Sequence, residues 1–186
     1  MIPPETLRNI PVLTDDRFIM RSVRLSDAPD MFEYGSDEEV VKNLPWGPYR
    51  SLEEVESGIE EFFLKRPEKG LPPAYAIVWK ENGKMIGTCD FHSVDQENNT
   101  GGIGFVLNRD YWNRGIMTRA SELLIEMGRS HFNFKGITLD HTPDNEAARR
   151  VAEKLGFTEK GMRIHNYMTG QKPRNMVHWE KDFIRS

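Results

Sequence analysis

Cysteine is nearly missing: Cys89 is the one thiol in 186 residues. A lone cysteine excludes an internal disulfide framework and fits a reducing compartment, so a cytoplasmic location is expected. Long apolar runs are also missing. Nothing approaches the roughly 20 residues needed to cross a bilayer, and no membrane partner is expected. The opening MIPPETLRNIPVLTDD lacks the basic stretch followed by an apolar one that marks a secretory signal. Positive charge is not in excess: the net charge of -4 argues against general nucleic-acid binding. The histidines, at 92, 131, 141, 165 and 178, show no close ligand spacing, so no metal is expected. Two nucleotide signatures fail as well. The pattern G-x-x-x-x-G-K-[ST] is absent, and G-x-G-x-x-G begins at Gly102 and Gly104 but meets Leu107 at its last position.

What is present is an ordinary globular composition, 38% hydrophobic and 29% charged, in a chain longer than the commonest domain size. It reads as a single domain over 1–186, with 1–16 as an irregular proline-rich arm. RFIMRSV (17–23) reads as a strand and 26–34 as a short helix. Ser51 and Glu54 have capping-box spacing ahead of a helix with Leu52, Val55, Ile59, Phe62 and Phe63 on one face. Residues 74–80, the turn 81–83 and residues 84–94 read as a hairpin, and 102–108 as a third adjacent strand. From about 116 the period becomes helical, with Ile116, Ala120, Leu123, Leu124 and Met127 as its stripe. Residues 136–141 return to strand. A helix follows from Asp144 or Asn145, with Ala148, Val151, Ala152 and Leu155 inward, and Gly156 stops it. GMRIHNYMT (161–169) and RNMVHWEKDF (174–183) form a final strand pair. This order implies a mixed α/β domain, an antiparallel meander passing into a β–α–β unit.

The stretch YWNRGIMTRA (111–120) joins the third meander strand to the long helix. A helix N-terminus leaves about four N–H groups without intrahelical partners and carries partial positive charge. Gly115 permits close backbone approach, Arg114 and Arg119 add charge, and Thr118 adds a hydroxyl. The junction has the chemistry to hold a diphosphate. An ordinary strand-to-helix turn with surface arginines has the same residues.

NEAARRVAEKLGF (145–157), placed after the 136–141 strand, resembles the GNAT superfamily of N-acetyltransferases. Its members carry an Asn, a small residue three positions on and a helix ending E-K-L-G-F, here Asn145, Ala148 and Glu153-Lys154-Leu155-Gly156-Phe157. Their pyrophosphate loop follows Q/R-x-x-G-x-G/A. That pattern aligns with Trp112 to Met117, keeping its glycine as Gly115. YWNRGIMTRA is most similar to the branch containing ribosomal-protein N-terminal acetyltransferases, with Asn113 in place of that branch's glycine and Arg119 in place of its glutamate. The resemblance covers roughly residues 15–183, in order. It implies an α/β fold with a mixed, largely antiparallel central sheet, splayed in the middle and flanked by helices.

The resemblance also implies acetyl-CoA as acetyl donor and an amine acceptor, either a protein N-terminus or a small molecule such as an amino acid, polyamine or antibiotic. A non-catalytic acyl-CoA-binding domain is the alternative. A monomer or a homodimer fits the family. The pyrophosphate contacts fall on Asn113, Arg114, Gly115, Met117 and Thr118. The pantetheine arm lies beside Phe105, Val106 and Leu107, and Asn145 hydrogen-bonds to it. An N-cap explains Asn145 equally well. The backbone N–H of Val106 or of Leu107 polarises the thioester carbonyl.

The proton acceptor does not carry over. Many relatives have a Glu where this chain has Gly102, and many have a tyrosine where it has Ala152. Strand alternation puts Asp90 and His92 on one face and Cys89 and Phe91 on the other. His92 can take a proton, since imidazole changes charge near neutrality, and Asp90 can do so through water. A plain solvent face accounts for both equally. His141, at the end of the next strand, is a further candidate base. Cys89 is expected in the core rather than as a nucleophile. Trp46 and Tyr49, in LPWGPY, are expected either to wall the acceptor site or to plug the core. Whether Glu53, Glu54, Asp90 and Asp144 converge on a basic acceptor is open.

Overall fold

Each segment takes its place according to the face it must bury. The computed structural model describes residues 2–165 and 173–183. The strands are β1 (Leu13–Thr14), β2 (Phe18–Ser22), β3 (Tyr75–Trp79), β4 (Met85–Asp95), β5 (Thr100–Leu107), β6 (Gly136–His141), β7 (Thr158–His165) and β8 (Arg174–Asp182). They form one sheet in the order β1-β2-β3-β4-β5-β6-β8-β7. Every neighbouring pair is antiparallel except β5 and β6. The helices are α1 (Pro4–Arg8), α2 (Ala28–Gly35), α3 (Glu38–Val41), α4 (Leu52–Gly58), α5 (Ile116–His131) and α6 (Glu146–Lys154).

The apolar run of β3 marks an inner strand: Tyr75, Ala76, Ile77 and Val78 are all buried. Two cores follow, one on each face of the sheet. On the first, α5 and α6 bring Ile116, Ala120, Leu124 and Val151 against Phe91, Ile103 and Leu139. On the second, α2, α3, α4 and the residue following α4 bring Met31, Tyr34, Val40, Val55 and Ile59 against Ala76, Met85 and Val106.

Three expectations need correction. The arm at 1–16 is not irregular throughout. A proline at its first turn, with φ already suited to a helix, opens α1. Ile2 and Leu7 enter the first core, and β1 pairs with β2. The stripe after Ser51 also breaks. Val55 and Ile59 are buried, but Leu52, the first residue of α4, is exposed, and so is Phe62, where α4 has passed into a π-helical stretch at Ile59–Leu64. The wider π turn rotates the inner face away from a 3.6-residue period. The expected strand 161–169 runs as Thr158–His165, and positions 166–169 lie outside the described residues.

Two irregularities shape the middle of the sheet. The parallel β5–β6 ladder runs only from Thr100 to Ile103, so beyond it β5 keeps β4 alone as partner and the sheet splays. Across the sheet, the β4–β5 register shifts between Phe91 and Ser93, which leaves His92 as the extra residue of a bulge.

Candidate active site

The junction between β5 and α5 is a concave array of backbone N–H groups. Asn113 has φ 59 and Gly115 φ 70, both left-handed. Gly115 is the N-cap of α5, and the Arg119 N–H makes the first helical hydrogen bond to its carbonyl at 3.1 Å. Among the described residues no hydrogen bond takes the N–H of residues 113–118 as donor. A Cβ built on Gly115 meets nothing within 4 Å, so the mouth is open. The first turn of α5 carries no acidic residue. Successive N–H groups around left-handed residues form an anion-binding nest, and this one suits a diphosphate.

Arginines surround the nest. Arg17 Nη1 donates to the Arg114 carbonyl at 2.9 Å. Asp15 accepts from Arg17 Nε and from Arg119 Nε, each at 3.2 Å. Partial burial raises the Asp15 carboxyl, but the hydrogen bonds from Arg17 and Arg119 outweigh it and hold the group below its ordinary value. Neither Asp15 nor Arg17 is visible as a site residue in the sequence, because the contact to Arg114 spans 97 positions.

The strand leading to the nest offers a free backbone edge. In an antiparallel ladder, N–H and C=O of one residue point the same way and successive residues alternate. The Asn108 N–H donates to Ile86 of β4 at 2.7 Å, so Val106 also turns toward β4. The Leu107 carbonyl points the other way and accepts the Trp112 indole N–H at 2.7 Å. The amides of Phe105 and Leu107 therefore face the splay. Of the two residues expected to polarise a carbonyl, Leu107 is suited and Val106 is not. Trp112, a departure from the loop pattern, ties the end of β5 to the loop.

The three candidate bases part company. Asp90 and His92 do share a face, but Asp90 is buried and paired with Arg66 at 3.2 Å. Arg66 also donates to the Phe91 carbonyl at 2.6 Å and the Pro72 carbonyl at 2.8 Å. As the counter-charge of a buried guanidinium, Asp90 is not a base. His141 is buried as well. Its Nδ1 lies 2.7 Å from the Thr142 carbonyl, and its Nε2 accepts the Trp179 indole N–H at 2.9 Å. A carbonyl only accepts, so Nδ1 bears the hydrogen and Nε2 spends its lone pair on Trp179. Both ring nitrogens are engaged, which argues against His141 as a base.

His92 is exposed at the bulge. Its ring lies over the glycines of β5. A Cβ on Gly104 would stand 3.1 Å from His92 Cδ2, and one on Gly102 would stand 2.3 Å from Ser93 Oγ and 3.2 Å from both His92 Cε1 and Thr138 Oγ1. At Gly102, where many members of the resembled family carry Glu, a side chain would require at least the Ser93 hydroxyl to move aside. The space there is filled by Ser93, His92 and Thr138. Ala152 is fully buried in the first core.

The remaining candidates fall in different places. Asn145 is the N-cap of α6, its Oδ1 accepting the Ala148 N–H at 3.1 Å. Cys89 is buried, 3.8 Å from Ser121 Oγ, and burial pushes its thiol far up. That suits core packing and not nucleophilic attack. Trp46 and Tyr49 stack at 5.2 Å and line a cavity of about 550 Å³ with Glu53, Glu54, Glu61 and Phe62. Tyr49 also packs where side chains are missing, against Gly35 and Gly58. Burial, and then the Glu54 charge, push its hydroxyl up to about 12. Of the acidic residues that were candidates to converge, Glu53 and Glu54 reach this cavity; Asp90 and Asp144 are not among its lining residues. Among the described residues no group of three or more His, Cys, Asp or Glu is placed to hold a metal, and no helix is long and apolar enough to cross a membrane.

Known proteins share this frame. An uncharacterized N-acetyltransferase, p20, of Bacillus licheniformis is 29% identical over 150 residues, 81% of this chain and 84% of that protein. Spermidine N(1)-acetyltransferase of Escherichia coli is 23% identical over 158 residues, 85% of this chain and 82% of that protein. The solved structure of a ribosomal L7/L12 alpha-N-protein acetyltransferase in complex with coenzyme A superposes with a TM-score of 0.78 at 19% identity, over 92% of this chain and 98% of that one. At that identity the likeness concerns the fold. The model of the acetyltransferase (GNAT) domain matches residues 17–158, more than half of the sequence. The chain belongs to the GNAT acetyltransferase family.

Proposed function

We propose that this acetyltransferase moves the acetyl group of acetyl-CoA directly to a primary amine, with residues 113–118 holding the pyrophosphate and His92 taking the proton. The observation that carries the reading is the continuity of two unpaired backbone surfaces. The Phe105 and Leu107 amides on the splayed edge of β5 lead straight to the N–H nest at 113–118.

Bound acetyl-CoA supplies an activated thioester. The residues supply the rest. Asn113, Arg114, Gly115, Met117 and Thr118 offer N–H groups to the pyrophosphate, and Arg114 adds a guanidinium. Phe105 pairs with the pantetheine arm as a strand neighbour would, and Leu107 directs its N–H at the acyl oxygen. Asn145 keeps its N-cap bond through Oδ1 and offers its amide nitrogen to the arm. His92 accepts the amine proton on the face of the sheet where its ring lies over Gly104. With Cys89 buried, the amine nitrogen attacks the thioester carbon directly: the C–N bond forms, the C–S bond breaks, and CoA leaves as a thiolate that takes its proton from solvent.

The acceptor we favour is the α-amino group of a protein N-terminus, with the peptide lying against Trp46 and Tyr49. One observation favours a second reading: Glu53, Glu54 and Glu61 line the same cavity, which suits a small polyamine. The test is thiol release from acetyl-CoA in the presence of spermidine or of short peptides with free N-termini, with wild type and His92→Ala. We expect turnover with one acceptor class and a 10²–10⁴-fold fall in His92→Ala, together with loss of the acidic limb of the kcat/KM pH profile. Unchanged turnover and profile in His92→Ala would remove His92 as the base.

A further inference from the structure

The unusual element of the nest is a contact from outside it. A trans peptide is planar, so the carbonyl of one residue and the N–H of the next point in opposite directions. The peptide joining Arg114 to Gly115 runs into left-handed Gly115, and Arg114 itself follows left-handed Asn113. Rotation of that single plane would exchange an N–H for a carbonyl at the mouth, and a carbonyl repels phosphate. Arg17 Nη1 holds the Arg114 oxygen at 2.9 Å. Fixing the oxygen on the Arg17 side fixes the Gly115 N–H on the opposite side.

Arg17 is itself held. Asp15 accepts both its backbone N–H, at 3.1 Å, and its Nε, at 3.2 Å. The same carboxylate accepts from Arg119 Nε in the first turn of α5. The Asp15 N–H donates to the Phe18 carbonyl at 2.9 Å, and the Lys80 N–H donates to the Arg17 carbonyl at 3.0 Å. Lys80 Nζ donates to the Asp15 carbonyl at 2.6 Å. The turn between β1 and β2 is thereby pinned to β3, and Asp15 spans from that turn to α5. Arg17 remains 41% exposed, so it does little as core packing.

We propose that Asp15 and Arg17 are positioning residues of the CoA site: Arg17, aligned by Asp15, locks the Arg114–Gly115 peptide with its N–H toward the pyrophosphate. This rests on the acetyl-CoA reading above and extends it. The β1–β2 turn, remote in sequence from the loop, becomes part of the donor site. Arg17 acts through the loop and not by touching the ligand.

The test is calorimetric titration of wild type, Arg17→Ala, Arg17→Lys and Asp15→Asn with CoA and with 3′-dephospho-CoA, beside the melting temperature of each ligand-free protein. Arg17→Ala is expected to weaken both ligands about tenfold, roughly 1.4 kcal/mol, by the same factor for each. Its ligand-free melting temperature stays within a few degrees of wild type. Arg17→Lys keeps one donor for the Arg114 carbonyl and recovers part of the loss. Asp15→Asn falls between wild type and Arg17→Ala. In ligand-free Arg17→Ala, the Gly115 amide resonance broadens by exchange, a signature that needs no CoA. Affinities within twofold of wild type, with a sharp Gly115 resonance, would overturn the proposal. A loss confined to CoA would overturn it as well, because Arg17 would then be touching the 3′-phosphate. Failure of wild type to bind either ligand would instead strike the cofactor reading.

Discussion

At the scale of single residues, what separates the candidate side chains is their surroundings and the small volumes beside them. His141 and His92 are the same side chain in two situations. The first has given one nitrogen to a carbonyl and the other to an indole; the second lies exposed over two glycines. Gly102 is the residue that makes the second situation possible. A methyl group there would press on Ser93, His92 and Thr138 together. Gly102→Ala is therefore expected to destabilise by about 1–3 kcal/mol, the usual cost of overpacking, and to lower kcat more than it raises KM by displacing the His92 ring. Denaturant unfolding and steady-state kinetics on the same preparation check both parts. A stable variant with normal kcat would mean that the packing around Gly102 does not set the position of His92.

At the scale of elements, β4 is held at its bulge by a buried ion pair. Arg66 ties the loop after the π-helical stretch to Asp90 and to the Phe91 carbonyl, one residue before His92. Removing the guanidinium leaves Asp90 as an uncompensated buried charge. Arg66→Ala is expected to cost about 3–5 kcal/mol, whereas the double variant Arg66→Met with Asp90→Leu should restore most of that loss. Equal destabilisation by the single and double variants in urea melts would contradict the role given to the pair. This device was not legible in the sequence, since Arg66 and Asp90 lie 24 positions apart and the strand alternation around Asp90 says nothing of a partner from another element. Elements carried by local period were legible: the helix from 116, the strand 136–141 and the Asn145 cap all lie where the pattern put them. The arm was misread because α1 and β1 are each five residues or fewer, too short for a periodic signal, and are fixed by tertiary contacts instead. The π-helical turn escaped for the opposite reason. Its residues have a helical pattern, and one extra residue per turn rotates the face without altering composition.

At the scale of the molecule, the two faces of the sheet divide the work. One carries α5 and α6, whose N-termini meet the ends of β5 and β6. The other carries α2, α3 and α4 and the aromatic, acidic cavity. The splay between β5 and β6 opens beyond Ile103, where the two faces meet; in the function proposed above, donor and amine would approach one another at that opening. The loop motif around Gly115 and the E-K-L-G-F helix end, read in order, were enough to point to this frame. They were not enough to rank Asp90, His92 and His141 as candidate bases, because the surroundings of Asp90 and His141 are contributed by Arg66, Thr142 and Trp179. The most direct single measurement is an amide-resolved NMR titration of the protein with CoA. The largest shifts should fall on the N–H groups of residues 113–118, with smaller ones at Phe105 and Leu107 and little change at Val106. Shifts centred elsewhere, or none at saturating CoA, would contradict the assignment of the nest as the pyrophosphate site.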